Sequence, residues 1–434
     1  MPKMPKQIKK EVVASVKGMH DVLSDDYAYI ERVIKEAKRA AEFYGFGAIA
    51  TPHLEKTELF LRPLGESSDI VEKQMYNLRT RGGDRLTLRP EGTAPIMRAY
   101  FEHGMQSQPQ PVKLFYAGSF FRHETPQAGR FREFHQVGVE VIGDEDAIND
   151  ALVIRVLIST LSAIGIRDIV VNINTLGDKT CRPVFRKELL AYYRKHYERI
   201  CRDCKRRFKE NPLRLLDCKE EPCAALKEHA PQMVDYVCES CKKHFAEVLE
   251  FLDEMTIPYF LDSHLARGFD YYGRTVFEIV PTEGEGTALS IGGGGRYDDL
   301  AELMGGRRTM AVGGALGVER VADLMKKKGI KPRSEQKPKI FLIQLGPAAK
   351  KKSLVLLEEL RKAGVPVLQS LSRDSLRSQL NIVLKLGVPL AVIIGQKEAL
   401  DLTVALRNME TGVQETLSFE KFIGTIKARL KEFS

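Results

Sequence analysis

Between Lys113 and Gly143 the chain reads KLFYAGSFFRHETPQAGRFREFHQVGVEVIG, and this stretch restricts the possible folds more than any other. Aromatic and β-branched residues crowd both ends, while Thr125-Pro126-Gln127-Ala128-Gly129 supplies turn chemistry between them. That pattern predicts two strands joined by a loop. A side-chain period of two places Val137, Val139 and Val141 on one face, which must be core. The opposite face carries Gln136, Gly138 and Glu140, two polar groups around a residue without a side chain. Such a face is a floor for a small polar ligand. Arg122-His123-Glu124 ends the first strand, and Arg130 and Arg132 follow in the loop, so the floor has a cationic rim suited to a polyphosphate. A hairpin that turns its polar face to solvent has the same pattern, and this stretch alone leaves both open.

The other elements take their places around it. A length of 434 residues predicts two or three domains, each with its own core. A hydrophobic content of 43% and a charged content of 29% are those of a soluble protein. No apolar run reaches membrane-spanning length, and the opening MPKMPKQIKKE lacks the apolar segment of a signal peptide, so the expected compartment is the cytoplasm. The net charge of +9 is compatible with an anionic partner without requiring one.

After a basic tail over residues 1–14, helical periodicity runs from about Asp25 to Tyr44, with Ile30, Val33, Ile34, Ala37 and Ala41 on one face and Gly45 as a stop. LTLRPEGTAPIMRAYFEHG predicts a short strand, then a helix capped by Thr93 with Pro95 in its first turn. Glu91 lies at the junction, where its carboxylate faces a ligand ammonium or serves only the helix N-terminus. Beyond the hairpin a helix is expected from about Asp146 to Gly165. Residues 170–258 then change character, becoming charged, mostly helical and rich in cysteine, as an insertion would be.

Six of the seven cysteines fall between Cys201 and Cys241. Cys201 and Cys204 form one C-x-x-C pair, and Cys238 and Cys241 form another. Each spacing suits two thiolates on one tetrahedral ion, so these four are a candidate zinc set, with Cys218 and Cys223 able to substitute or pair. Free thiols are equally at home in a reducing compartment.

Strand character resumes at Tyr259. In LARGFDYYGRTVFEIV, Arg267, Phe269 and Tyr271 alternate onto one face and Gly268 permits close approach; Arg267 pairing with a buried carboxylate such as Asp270 stays open. MAVGGALGVERV runs a glycine-rich strand into a helix with Arg320 in its first turn, a place that favours phosphate, although tight packing alone also accounts for the glycines. Residues 326–337 form a basic linker, and residues 338–434 alternate β-α-β-α-β, predicting a compact α/β domain with a mostly parallel sheet.

TLRPEGTA, FRHETPQAGRFREFHQ, LARGFDYYGRTVFE, GGGGRYD and GVERV occur in this order, and together they resemble histidyl-tRNA synthetases of the bacterial type from about Val16 onward. The resemblance implies an α+β class II synthetase catalytic core over residues 15–325, an antiparallel sheet flanked by helices and carrying the helical insertion. It also implies a C-terminal α/β anticodon-binding domain and a homodimer.

The family's roles map onto matching positions. Arg122 resembles the arginine that holds the ATP α-phosphate, and Glu124 the group near the adenine amino group. Phe134 and Arg320 resemble the two sides of an adenine sandwich, and Arg130 reaches the outer phosphates. Glu91, Gly92 and Thr93 resemble the site of the histidine α-amino group. Gln136, Glu140, Tyr271 and Tyr272 line the amino-acid pocket with Tyr297 nearby, and Arg267 faces the α-phosphate opposite Arg122. Thr125 replaces a frequent arginine in the loop, which leaves Gln127 as the candidate contact for the tRNA acceptor end. Asp299 stands where glycine is usual.

The implied activity is ATP-dependent charging of tRNA(His), with Mg2+ accompanying ATP. The rival is a catalytically silent, synthetase-like regulatory subunit of histidine biosynthesis. Such proteins are expected to lack the anticodon domain and the phosphate arginines, whereas this chain has Arg122, Arg267, Arg320 and residues 338–434.

Overall fold

The computed structural model describes residues 13–64, 70–125, 129–216, 218, 220–266, 269–282, 289–332 and 338–432. Gln127, Arg267, most of the basic tail and residues 333–337 of the linker lie outside them. The chain divides into two compact units, one ending at Pro332 and the other beginning at Arg333.

In the first unit α1 (Ser24–Phe43) leads to β1 (Gly47–Ala48), β2 (Leu54–Lys56), α2 (Glu58–Leu64), β3 (Tyr76–Arg79), β4 (Arg85–Leu88) and α3 (Thr93–Glu102). The long hairpin β5 (Val112–Phe121) and β6 (Glu133–Ile142) follows, then α4 (Ile148–Ile164) and β7 (Ile169–Thr175). Four helices come next: α5 (Cys181–Lys195), α6 (Arg202–Glu210), α7 (Glu221–Lys227) and α8 (Glu239–Glu254). The unit closes with β8 (Tyr259–Leu261), β9 (Gly273–Pro281), β10 (Gly292–Arg296), α9 (Leu300–Leu303), β11 (Ala311–Gly317) and α10 (Val318–Lys327).

Among the described residues the main sheet runs β1-β5-β6-β11-β10-β9-β7-β8. It is antiparallel except at its edges, where β1 lies parallel to β5 and β8 parallel to β7. One face is covered by helices. Val137, Val139 and Val141 of β6 pack with Ile30 and Val33 of α1, Val153 and Leu157 of α4, and Val321 of α10. All three valines are at most 1% exposed, and each such burial contributes about 1.5–3 kcal/mol. Gly45 ends the α1 region at φ +80°, a conformation costly to a residue with a Cβ.

The insertion is smaller than its charge pattern implies. Ile169, Val171 and Ile173 of β7 point into the main core, and β7 is laddered to β9 along its length, so residues 170–175 belong to the sheet. At the other end, Phe245, Val248 and Leu252 of α8 are buried in that same core. What stands apart is the segment between β7 and α8, with a core of its own. The basic linker likewise begins later than expected. α10 extends through Lys327, and Lys326 pairs with Asp26 at 2.7 Å.

The second unit contains β12 (Ile340–Gln344), α11 (Pro347–Lys362), β13 (Val367–Gln369), α12 (Leu376–Leu386), β14 (Leu390–Ile394), α13 (Gln396–Asp401), β15 (Thr403–Asn408), β16 (Gln414–Ser418) and α14 (Phe419–Glu432). Its sheet order is β13-β12-β14-β15-β16. The pairs through β12 are parallel, but β14-β15 and β15-β16 are antiparallel, so the sheet is mixed and not mostly parallel. The hairpin turns at Gly412, φ +74°, a signal the sequence pattern carried and the periodicity reading passed over.

Candidate active site

The face of β6 turned away from these helices is the floor of the site. Register sets Gln136 between Gly118 of β5 and Gly317 of β11, Gly138 between Tyr116 and Ala315, and Glu140 between Leu114 and Gly313. The space above Gly138 is not open, contrary to the alternation argument. The Tyr116 ring lies across it, and a Cβ on Gly138 would stand 2.4 Å from the ring carbon Cζ and 2.5 Å from the hydroxyl. Glycine is therefore required there by a neighbouring side chain.

Glu140 is 1% exposed. Thr93 Oγ1 donates to its Oε1 at 3.0 Å, and the Tyr297 hydroxyl donates to its Oε2. Burial raises its pKa to about 8, against the lowering by the Tyr297 and Thr93 hydroxyls and with a further push from Glu91. Near neutral pH this carboxyl is therefore poised between acid and carboxylate, ready to accept an N–H once ionised.

Glu91, also buried, closes the other side. Its carboxylate accepts the amides of Thr93 at 2.6 Å and Ala94 at 3.0 Å, so Glu91 caps α3. Thr93, expected to be the cap, is instead the first helical residue and spends its hydroxyl on Glu140. The Tyr271 hydroxyl donates to Glu91 Oε2 at 3.5 Å. Burial raises the Glu91 pKa and the two amides pull it back. Tyr272 is buried with its ring 4.8 Å from that of Tyr271. Tyr271, Tyr272, Thr93, Glu91, Glu140 and Tyr297 thus form one connected buried cluster; Tyr297, placed only nearby by the sequence reading, is the phenol bonded to Glu140.

Tyr297 is held by a buried ion network beneath it. Arg296, fully buried, donates from Nε to Asp150 Oδ2 at 3.0 Å and from Nη1 to Asp298 Oδ1 at 3.3 Å, and Asp298 accepts the Ala311 amide at 3.1 Å. The backbone carbonyls of Asp144 and Asp146 accept the guanidinium's remaining bonds at 3.2 and 3.0 Å. This accounts for the arginine and aspartate of GGGGRYD as scaffolding.

At the cationic rim, Arg122 donates from Nε to the Pro90 carbonyl at 2.8 Å, and its guanidinium lies 5.2 Å from the Phe134 ring centroid and 5.5 Å from that of Phe269. Glu124 sits 4.0 Å from Arg122 and 3.7 Å from Arg130. Arg320 donates to the carbonyls of Gly129 at 3.1 Å and Ser290 at 2.7 Å. Burial and then the charges of Arg130 and Arg122 lower its pKa, with Glu124 opposing. Three guanidiniums crowded around one carboxylate would be relieved by a polyanion. Arg122 thus lies beside the Phe134 ring, while Arg320 is held by backbone carbonyls at the same rim.

The sequence reading missed His135 and Glu319. Glu319, in the first turn of α10, accepts the His135 amide at 2.9 Å and its Nδ1 at 2.7 Å, which raises the His135 pKa and fastens α10 to β6. The GVERV motif was read only for its arginine, yet the glutamate beside it carries this tie. Arg89 was also missed. It is 5% exposed, donates to the carbonyls of Ser119 and Thr51 at 2.9 and 2.7 Å, and packs over Phe120.

The four cysteines proposed as one zinc set do not meet. Cys201 and Cys204 group with Cys218 and Cys223, whereas Cys238 and Cys241 group with Cys181 and Asp178. The two C-x-x-C pairs open different helices, α6 and α8, and each finds its partners locally in the fold.

Known proteins match the chain over most of its length. The family model for histidyl-tRNA synthetase matches residues 18–321, and that for the anticodon binding domain matches residues 339–429. A histidine–tRNA ligase of Dehalococcoides mccartyi is 44% identical over 416 residues, covering 96% of this chain and 99% of the relative. One from Pelotomaculum thermopropionicum is 42% identical, covering 95% and 97%. The crystal structure of the apo histidyl-tRNA synthetase of S. aureus superposes with a TM-score of 0.79 at 30% identity, covering 95% of this chain and 99% of that one. A Bacillus halodurans structure described as an ATP phosphoribosyltransferase regulatory subunit/histidyl-tRNA synthetase shares the fold at 21% identity and a TM-score of 0.61.

Proposed function

This chain belongs to the histidyl-tRNA synthetase family, and from that premise we propose that the pocket on β6 activates L-histidine with ATP and passes it to tRNA(His). A histidine carboxylate oxygen attacks the α-phosphorus of ATP, the bond to the bridging oxygen breaks, and pyrophosphate leaves. The terminal ribose hydroxyl of the tRNA then attacks the carbonyl of histidyl-adenylate, and AMP leaves.

The observation that carries this reading is Glu140, an ionisable acceptor buried between two hydroxyls on the sheet floor. A neutral imidazole offers one N–H and one lone pair, so a reader needs a fixed acceptor and a fixed donor. Glu140 receives the N–H, and a tyrosine hydroxyl of the pocket serves the other nitrogen. Glu91 and Thr93 receive the α-ammonium. Gln136 lies on the same floor toward the cationic rim, where Arg122, Arg130 and Arg320 bind the triphosphate and Glu124 reads the adenine. Arg267, which the family resemblance sets opposite Arg122, stabilises charge on the α-phosphate as pyrophosphate departs. The protein acts by positioning and charge neutralisation, and no side chain is needed as general base. Mg2+ enters with ATP.

The second unit reads tRNA, in keeping with the family model that it matches. We further assign the protein to the cytoplasm as a homodimer; no helix among the described residues is long and apolar enough to cross a membrane. The regulatory-subunit alternative is disfavoured by the anticodon-binding unit and by the ligase relatives matched over nearly the whole chain.

Histidine-dependent exchange of labelled pyrophosphate into ATP by the pure protein tests the reading. Exchange that needs histidine supports it, and absence of exchange with intact, folded protein refutes it. Glu140→Ala should raise the histidine requirement far more than that for ATP.

A further inference from the structure

The segment from the end of β7 into the first turn of α8 gathers all seven cysteines. They fall into two groups of four ligands whose donor atoms lie within 4.8 Å of one another: Cys201, Cys204, Cys218 and Cys223 in one, and Asp178, Cys181, Cys238 and Cys241 in the other. We propose that this insertion is a two-zinc module, with an inner tetrathiolate site and an outer site of three thiolates and the Asp178 carboxylate.

The geometry is that of single tetrahedral ions. A Zn–S bond of about 2.3 Å makes the edge of a regular tetrahedron of sulfurs about 3.8 Å. Cys201 Sγ and Cys218 Sγ are 3.8 Å apart. That separation is far beyond the ~2.05 Å of a disulfide, and every cysteine is free. Both groups are too tight for an iron–sulfur cluster, whose ligands must span several metal atoms.

Backbone amides already point at the sulfurs as they would at thiolates. Cys204 N donates to Cys201 Sγ at 3.4 Å, Cys201 N to Cys223 Sγ at 3.2 Å, and Cys238 N to Cys181 Sγ at 3.1 Å. Cys201 and Cys238 each precede a helix, where the amide ends favour negative charge. In the outer group Asp178 uses Oδ1 to accept the amides of Thr180 and Cys181 at 2.8 and 3.1 Å, while Oδ2 faces Cys238 Sγ at 3.9 Å. One carboxylate oxygen orients the side chain and the other is left as a ligand, an arrangement usual around bound metals. Four thiolates on one dication leave net negative charge, and α6 supplies Arg202, Lys205, Arg206 and Arg207 beside the inner site.

The spacing explains why the pairs were misjoined in sequence. Asp178-x-x-Cys181 has the same three-residue step as the two C-x-x-C pairs but starts with a carboxylate. The outer site encloses the inner one along the chain, and together they staple a segment whose own core includes Phe185, Leu189, Tyr193, Leu215, Leu226 and Met233. The module also touches the histidine pocket, since Asn211 donates to Asp270 at 2.8 Å, next to Tyr271.

Metal content of the full-length protein, purified without chelator under reducing conditions, tests the proposal. Two zinc per chain are expected, falling to one in Cys218→Ser and to one in Cys181→Ser. Mercurial titration of the unaltered protein should release both ions, and the cobalt-loaded protein should show thiolate-to-cobalt charge transfer and tetrahedral ligand-field bands. These two measurements need no variant to fold. Less than about a tenth of a zinc per chain, both as purified and after exposure of the reduced protein to zinc, overturns the proposal. One ion lost equally in both variants, or iron at the same stoichiometry, overturns it as well.

Discussion

Gly313 faces Glu140 across the ladder between β11 and β6, and a methyl group on Gly313 would stand 1.5 Å from the glutamate's Oε2. The acceptor of the proposed histidine pocket is therefore held in place by the absence of a side chain on the next strand. Gly313→Ala should push the carboxylate off the Tyr297 and Thr93 hydroxyls and weaken histidine recognition. Losing a hydrogen bond to a charged group costs about 1.5–3 kcal/mol, or roughly ten- to a hundredfold in the apparent KM for histidine. The KM for ATP should change little. Equal shifts in both would mean that the substitution disturbs the sheet and not the acceptor.

Glu140 should also leave a signature in stability. Its folded pKa of about 8 lies above its ordinary 4.5, so between those values the folded state holds a proton that the unfolded state has released. Stability contributed by this group is thus fully present below pH 4.5 and is lost as pH rises toward 8. Glu140→Gln cannot ionise. The urea midpoint of the variant relative to the parent should rise between about pH 5 and 8 and level off above. A difference independent of pH would place the Glu140 pKa in the ordinary range.

The buried network under Tyr297 predicts a large effect from one change. Arg296→Met leaves Asp150 and Asp298 without their cation at a fully buried position. Breaking such a pair costs about 3–5 kcal/mol. Chemical denaturation should show a loss of that order, and a loss below about 1 kcal/mol would show that water or His244, 3.7 Å from Asp150, takes over the role.

Arg267 lies outside the described residues, and its role rests on the family resemblance. Arg267→Lys keeps the charge but removes the planar fork. Single-turnover adenylation should slow on the order of a hundredfold, as when one oxyanion-type donor is lost, with histidine and ATP still bound. An unchanged rate would remove Arg267 from the catalytic group.

The division at Pro332 predicts separable activities. A protein ending there should retain pyrophosphate exchange and charge tRNA poorly. Charging equal to that of the full chain would show that the second unit does not select tRNA.

Much of this was legible because period-two and helical patterns report faces directly. The valines of β6, the apolar stripe of α1 and the stop at Gly45 follow from local sequence. What was illegible depended on partners far along the chain. Tyr116 fills the space over Gly138 because of hairpin register, which alternation within one strand cannot supply. The cysteine grouping depends on how α5, α6 and α8 pack, and a carboxylate at Asp178 hides in a search for thiols. β7 was absorbed into the insertion because the charged helices after it dominate the composition, whereas its alternating Ile169, Val171 and Ile173 are few. Glu91 and Thr93 exchanged capping roles because a tertiary partner, Glu140, claims the threonine hydroxyl.

The outer cysteine group has a further consequence for how this chain can change over time. Asp178 and Cys181 lie just after β7, and Cys238 and Cys241 lie at the start of α8, so the segment leaves the sheet and returns to it through a single neck. Everything between Cys181 and Cys238 enters and leaves by that neck and meets the rest of the unit elsewhere at few points, Asn211 with Asp270 among them. Residues there that make no such contact can be added, lost or exchanged without moving a strand of the sheet, provided the two ends still meet.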